Sequence, residues 1–139
     1  SGKVEKIKES ILDDVPVHFP ALLEGQKLTK KAAKVKFDWE NTEQIFDKLS
    51  EETNELKDAI QTNENVEEEL GDLLFVVMNL ARKLDVDAET ALKKTNRKFR
   101  QRFKFIEDEL KKDGKSLENS SLKEMDGLWN QAKTASSKE

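Results

Sequence analysis

The sequence predicts an all-α protein: an antiparallel bundle of four main helices with a short fifth helix at the C-terminal end. Three observations predict it. Helix breakers are scarce, with five Gly and two Pro in 139 residues, and both Pro lie early, at positions 16 and 20, so long stretches are free to propagate helix. Sheet formers are scarce too, since Val and Ile are sparse and Tyr is absent. Apolar residues then recur every three or four positions, which is the period of a helix and not of a strand. At 139 residues and 35% apolar content the chain can build the core of one domain.

Residues 1–20 read as a lead-in segment, partly helical, closed by the stretch from Pro16 to Pro20. A first helix is expected from Ala21 to Lys36, with Ala21, Leu28, Ala32 and Val35 as a narrow packing stripe. The bulky turn Phe37-Asp38-Trp39 follows it. A second helix spans about Thr42 to Ile60, with Ile45, Leu49, Leu56 and Ile60 on one face. After the polar loop 61–65, a third helix runs from about Val66 to Leu84. It is apolar all round from Leu73 to Met78, which is the mark of a buried bundle centre. Asp85 or Asp87 can cap a fourth helix that reaches Lys112 on the stripe Ala88, Leu92, Thr95, Phe99, Phe103, Ile106 and Leu110. Asp113-Gly114 ends it. A fifth helix spans about Ser121 to Ala132, and 134–139 form a disordered tail. The domain is thus placed at 21–133, with no internal repeat.

Composition excludes several classes of function. Cysteine is absent, so there is no disulfide and no thiolate metal site, which fits a cytoplasmic setting. No apolar run approaches the roughly 20 residues of a membrane span, and the first residues carry no apolar leader. A net charge of −4 offers no basic footprint for nucleic acid.

The acidic residues carry the strongest signal: Glu51-Glu52-Thr53-Asn54-Glu55, then Glu69-Leu70-Gly71-Asp72. Glu52 and Glu55 share a helix face by their spacing of three, and Glu69 and Asp72 share another. Folding the two helices back about Thr62 sets Glu52 level with Asp72 and Glu55 level with Glu69. Glu52 also falls on the apolar stripe, between Leu49 and Leu56. An inward carboxylate is costly unless a cation joins it. Oxygen ligands alone suit Mg²⁺ or Mn²⁺. A di-iron bundle would need Glu-x-x-His pairs, and the sole histidine, His18, lies far off between the two prolines as an inert loop residue. The plain alternative stands beside this: 39% charged residues produce acidic pairs on solvated faces by chance, and Glu64, Glu67 and Glu68 fit that description. Gly71 suggests close helix approach beside the carboxylates.

The fourth helix carries Asn96, Lys98 and Arg102, the last two on one flank. They suit a phosphate chain and equally suit a solvated flank. Lys48, one turn before Glu52, can reach the acidic site or pair with Glu51 or Glu52. Trp39 and Trp129 are candidates for stacking on a nucleobase or for core packing.

Taken in order, these segments resemble the C-terminal catalytic domain of the MazG family of nucleoside triphosphate pyrophosphohydrolases. The EExxE…ExxD pattern of that family is met by Glu51-Glu52-Thr53-Asn54-Glu55 and Glu69-Leu70-Gly71-Asp72. Pro20-Ala21-Leu22-Leu23, Phe37-Asp38-Trp39, Asn79-Leu80-Ala81-Arg82 and Asn96-x-Lys98-Phe99 with Arg102-Phe103 resemble its other segments, so the likeness covers roughly Leu12 to Lys133. Two departures stand out: Lys36 occupies a position where the family often has Gly, and the loop from Ile60 to Asn65 is short. The Cys-Pro-Trp-Asp feature of the family's N-terminal domain is missing. The chain therefore reads as the C-terminal half of a two-domain protein or as a stand-alone relative.

The resemblance implies metal ligands at Glu52, Glu55, Glu69 and Asp72. It implies nucleotide contacts near Lys48, Glu51, Glu68, Lys98 and Arg102, with Trp129 near the base. The expected reaction is Mg²⁺-dependent hydrolysis of a nucleoside triphosphate to monophosphate and pyrophosphate, in a homodimer. Glu51 or Glu55 would orient or deprotonate the attacking water, while Lys98 and Arg102 hold the polyphosphate. The rival expectations are a nucleotide-sensing module with little turnover and a helical interaction scaffold.

Overall fold

A computed structural model describes residues 9–136. Among these residues every regular element is helical. A 3₁₀ turn at Ile11–Asp14 precedes α1 (Ala21–Lys34), α2 (Thr42–Thr62), α3 (Val66–Lys83), α4 (Ala88–Lys112) and α5 (Leu122–Ser136). The all-α expectation holds. None of the helices is long and apolar enough to cross a membrane. The chain divides into two compact units, residues 1–89 and 90–139, with the boundary in the first turn of α4; the composition carries no mark of it.

The ends of the helices follow local chemistry. The Ser10 hydroxyl and the Asp13 carboxylate cap the 3₁₀ turn reciprocally. Asn41 accepts from the Gln44 N–H at the start of α2, Asp87 from the Glu89 N–H before α4, and Ser121 from the Glu124 N–H before α5. Asp87, not Asp85, is therefore the cap of α4. Asp85 instead ends α3: it takes a left-handed φ of 58°, and the Val86 N–H reaches back to the Ala81 carbonyl. This is the Schellman turn. It recurs at Lys36, Asn63 and Gly114, where Phe37, Glu64 and Lys115 donate to Ala32, Ala59 and Leu110. It stops α1 at Lys34, two residues short of the expected end, and lets α2 run on to Thr62. In turn α5 extends to Ser136, so residues 134–136 are helical; the rest of the expected tail lies outside the described residues.

In the first unit, α3 packs against both α1 and α2. The α2 face is Ile45, Leu49, Glu52, Leu56 and Ala59, with Ile45, Glu52 and Ala59 buried; Ile60, expected on this face, is exposed. Gly25 is the close contact between α1 and α3, since a Cβ there would lie 2.8 Å from the Met78 Cε. Gly71 has no such role: a Cβ there would meet nothing within 4 Å. The run Leu73 to Met78 is not buried all round. Val76 and Met78 are buried, whereas Leu74, Phe75 and Val77 are exposed, because α3 meets α1 and α2 with only part of its circumference. In the second unit the α4 stripe is buried at Ile106 and Leu110 and exposed at Leu92, Phe99 and Phe103.

Candidate metal centre and its surroundings

The two longest helices of the first unit form a tight hairpin, because only Asn63, Glu64 and Asn65 separate α2 from α3. Both Asn residues are left-handed, with φ of 54° and 59°, a conformation that Asn tolerates better than most residues. The hairpin brings Glu52, Glu69 and Asp72 together, with one carboxylate oxygen from each within 4.8 Å of the others. Glu52 is 8% exposed, in the place its stripe position predicts. Glu69 is half-buried and Asp72 exposed. Glu55 stands outside this group of three, yet its charge is the largest influence on Glu69 after burial itself.

Several features of the group fit a cation. The second oxygens of Glu52 and Glu69 are buried and have no hydrogen-bond partner among the described residues. Such orphaned anionic atoms are costly to keep. Burial pushes the Glu69 carboxyl above its usual range, and the charges of Glu55, Asp72, Glu52 and Glu68 push it the same way. Lys48 relieves part of this, with its Nζ 3.4 Å from Glu52 and 3.2 Å from Glu51. All the ligand atoms are carboxylate oxygens, the donor set of a hard divalent ion. The residues present therefore fit a metal ion of that class. Beside them Glu51, Asn54, Glu55 and Asp58 of α2 and Glu69 of α3 line an open cleft. Glu68 is exposed.

Lys98 and Arg102 belong to the second unit. Lys98 is exposed. Arg102 lies over the Trp129 ring, 5.5 Å from its centroid, and its Nε is buried without a hydrogen-bond partner among the described residues. Trp129 also meets Phe99 at 5.4 Å, and Phe99 stacks with Phe103 at 6.2 Å. At 5.5 Å the Arg102 guanidinium is within reach of the electron-rich face of the indole.

Sequence reasoning passed over the corner where the first unit closes. Asp38 accepts from Arg82 and Lys83, and Lys83 also donates to the Trp39 carbonyl at 2.6 Å. The Arg82 guanidinium, first among several influences, holds the Asp38 carboxyl at about 2. Arg82 donates in addition to the Asn79 Oδ1, at 3.0 and 2.9 Å. The available signal was the pairing of Asp38 with two successive cations at the end of the next apolar helix, a long-range pairing that no single segment reveals.

Residues 40–106 match the family model described as the MazG nucleotide pyrophosphohydrolase domain. The chain is 42% identical over 128 residues to the nucleoside triphosphate pyrophosphohydrolase/pyrophosphatase MazG of Thermotoga maritima, covering 92% of this chain and 50% of that protein. It is 39% identical over 135 residues to the nucleoside triphosphate pyrophosphohydrolase of Escherichia coli K12, covering 94% and 51%. It is also 48% identical over 69 residues to the uncharacterized protein YabN of Bacillus subtilis, covering 50% and 14%. The chain thus spans about half the length of the first two relatives.

Proposed function

The chain belongs to the MazG nucleotide pyrophosphohydrolase family, and on that footing we propose that it hydrolyses nucleoside triphosphates to monophosphate and pyrophosphate with a divalent cation, Mg²⁺ or in its place Mn²⁺. The observation that carries the proposal is the carboxylate group of Glu52, Glu69 and Asp72 with its two orphaned buried oxygens. Glu55, next to Glu69, is the fourth proposed ligand. A divalent ion held there supplies positive charge that polarises the phosphoryl group under attack.

The rest of the chemistry falls to side chains. Lys48, already bridging Glu51 and Glu52, is a nucleotide contact beside the carboxylates, with Glu51 and Glu68 as further nucleotide contacts. Glu51 or Glu55 accepts the proton of the attacking water. Lys98 and Arg102 provide the cationic grip on the polyphosphate and stabilise the departing pyrophosphate; the buried Arg102 Nε, without a hydrogen-bond partner among the described residues, supports this. Trp129, beside Arg102, lies near the base in this reading. A cytoplasmic homodimer is part of the proposal. Exposed Leu70, Leu74 and Val77 on α3, and Leu92 and Phe99 on α4, are apolar surface of the kind a second copy covers.

Product analysis tests the reading. ATP should give AMP and pyrophosphate in Mg²⁺, and nothing in EDTA, as followed by phosphorus NMR. ADP and orthophosphate as products would sink the assignment, and tight nucleotide binding without turnover would favour a sensing module. Arg102→Ala should lower kcat/KM roughly ten- to a hundredfold, the loss of one charge-assisted contact of about 1.5–3 kcal/mol. Unchanged kinetics would reduce Arg102 to structure.

A further inference from the structure

The net charge of −4 describes the whole chain, but the charge is unevenly spread. Seven of the twelve residues 93–104 are Lys or Arg and none is acidic. All twelve lie on α4, within the second unit. Lys93, Arg97, Arg100 and Lys104 recur at spacings of four, three and four, so they fall in one line along the helix. That line runs about 16 Å along the axis. All four residues are exposed. Lys104 is paired with Asp108, whereas Lys93, Arg97 and Arg100 form no ion pair with a described residue. Glu89 and Glu107 bound the row at its two ends. Lys98 and Arg102, the proposed grip on the polyphosphate, lie round on the other side of α4 by the same count, so the hydrolysis does not use the row.

Like charges three and four residues apart destabilise a helix, and a linear polyanion laid along the row relieves that repulsion. The neighbours of the row decide which polyanion fits. A membrane surface takes up apolar side chains beside the cations, but the row is flanked by Asn96 and Gln101. Leu92 and Phe99 lie further round the helix, on the surface assigned above to a second copy. An acidic protein surface needs an apolar or aromatic centre to its contact, and the row has none. A phosphodiester backbone needs neither. It repeats single charges along a line, and its phosphate oxygens accept from ammonium and guanidinium groups alike.

We propose that the row of Lys93, Arg97 and Arg100 holds the phosphodiester backbone of a nucleic acid without regard to its sequence, a binding activity apart from the carboxylate site. Each cation that meets a phosphate releases counterions, so the affinity falls steeply with salt. With about three phosphates met, the loss is roughly twenty- to fortyfold between about 50 and 200 mM salt, the smaller figure for a single strand and the larger for a duplex.

The test is the fluorescence anisotropy of a labelled oligothymidylate and of a labelled duplex of equal length, each titrated with the whole chain at about 50 and 200 mM salt. EDTA is present, so that no metal ion bridges the probe to the carboxylates. The wild type should bind at least one probe with the stated salt dependence, and the stronger binder names the source of the backbone. Changing Arg97→Ala and Arg100→Ala together should weaken binding at the lower salt and cut the salt dependence to about threefold, as expected for one remaining phosphate. Both positions are exposed and Ala is a strong helix former, so helical circular dichroism should be unchanged. Binding of neither probe at the lower salt overturns the proposal, as does equal binding by the wild type and the double variant. Polyglutamate or phosphatidylserine vesicles bound as tightly as the oligonucleotides would overturn it in favour of an acidic protein or a membrane. A fall in kcat/KM for triphosphates in the double variant would overturn it too, because the row would then belong to the substrate site.

Discussion

Two carboxylate sites in the first unit behave in opposite ways. At the corner between α1 and α2, Asp38 sits among cations, accepting from Arg82 and Lys83, and its carboxyl is held at about 2. In the α2–α3 hairpin, Glu52, Glu69 and Asp72 sit among one another, with Glu55 close by, and the Glu69 carboxyl is pushed up. The side-chain chemistry is the same and the company differs. The corner is electrostatically complete and ties the turn to α3. The hairpin leaves two buried oxygens without a hydrogen-bond partner among the described residues, a setting that favours added positive charge. Carboxylates gathered with their own kind are the mark of a binding site, and carboxylates matched by cations are the mark of a joint.

Removing charge at each site should separate them. The largest effect belongs to the hairpin. Glu52→Gln or Asp72→Asn should lower turnover by about a hundredfold or more, since several kcal/mol of transition-state stabilisation go with a lost ligand. Saturating Mg²⁺ should also raise the Tm of the wild type by several degrees, corresponding to about 2.7 kcal/mol at a hundredfold excess over Kd. Calorimetry should find that shift gone in both variants with helical circular dichroism intact. An equal Mg²⁺ shift in wild type and variants would erase the distinction between the two sites.

At the corner the effect is on stability and depends on pH. The folded Asp38 carboxyl lies at about 2 against 3.8 for the free side chain, so its stabilisation is present above about 3.8 and is lost as pH falls towards 2. With partial exposure to solvent the contribution is about 1 kcal/mol. Asp38→Asn should remove that amount at pH 7 and flatten this part of the pH profile in urea titrations. A profile unchanged by the substitution would mean that the ion pair does not hold the turn. A smaller refinement concerns Lys36, which ends α1 with a left-handed φ of 71°. Lys36→Gly should stabilise by up to about 1 kcal/mol, because the left-handed conformation is costly for any residue with a Cβ. A rise in the urea midpoint at unchanged slope is the expected result, and a fall would show that the Lys36 side chain contributes more than its backbone costs.

Much of the candidate site was legible before any coordinates. Glu52 stood out because it interrupts an apolar stripe, and it is buried. Glu69 and Asp72 followed from their spacing of three and from folding the two helices back about Thr62. Other features were not legible. Gly71 drew attention as a glycine beside carboxylates, yet Gly25 is the one that α3 presses upon, through Met78. Local sequence cannot distinguish them, because the distinction is made by the neighbouring helix. The apolar run of α3 predicted burial on all sides, whereas Leu74, Phe75 and Val77 remain exposed. Hydrophobicity reports what a surface favours, and only packing reports what covers it.

The amino-acid sequence by itself determined the helices, most of their ends and the acidic pairs on α2 and α3. These depend on contacts within a few residues: periodicity, caps, and side chains three or four positions apart. Tertiary structure alone decided that Glu55 stands outside the group of Glu52, Glu69 and Asp72, that Asp38 is answered by Arg82 and Lys83, and that the Asn79 amide oxygen accepts from Arg82. Those outcomes join residues some 40 positions apart in the chain. Their energies depend on desolvation and on angles between helices, which no local pattern encodes.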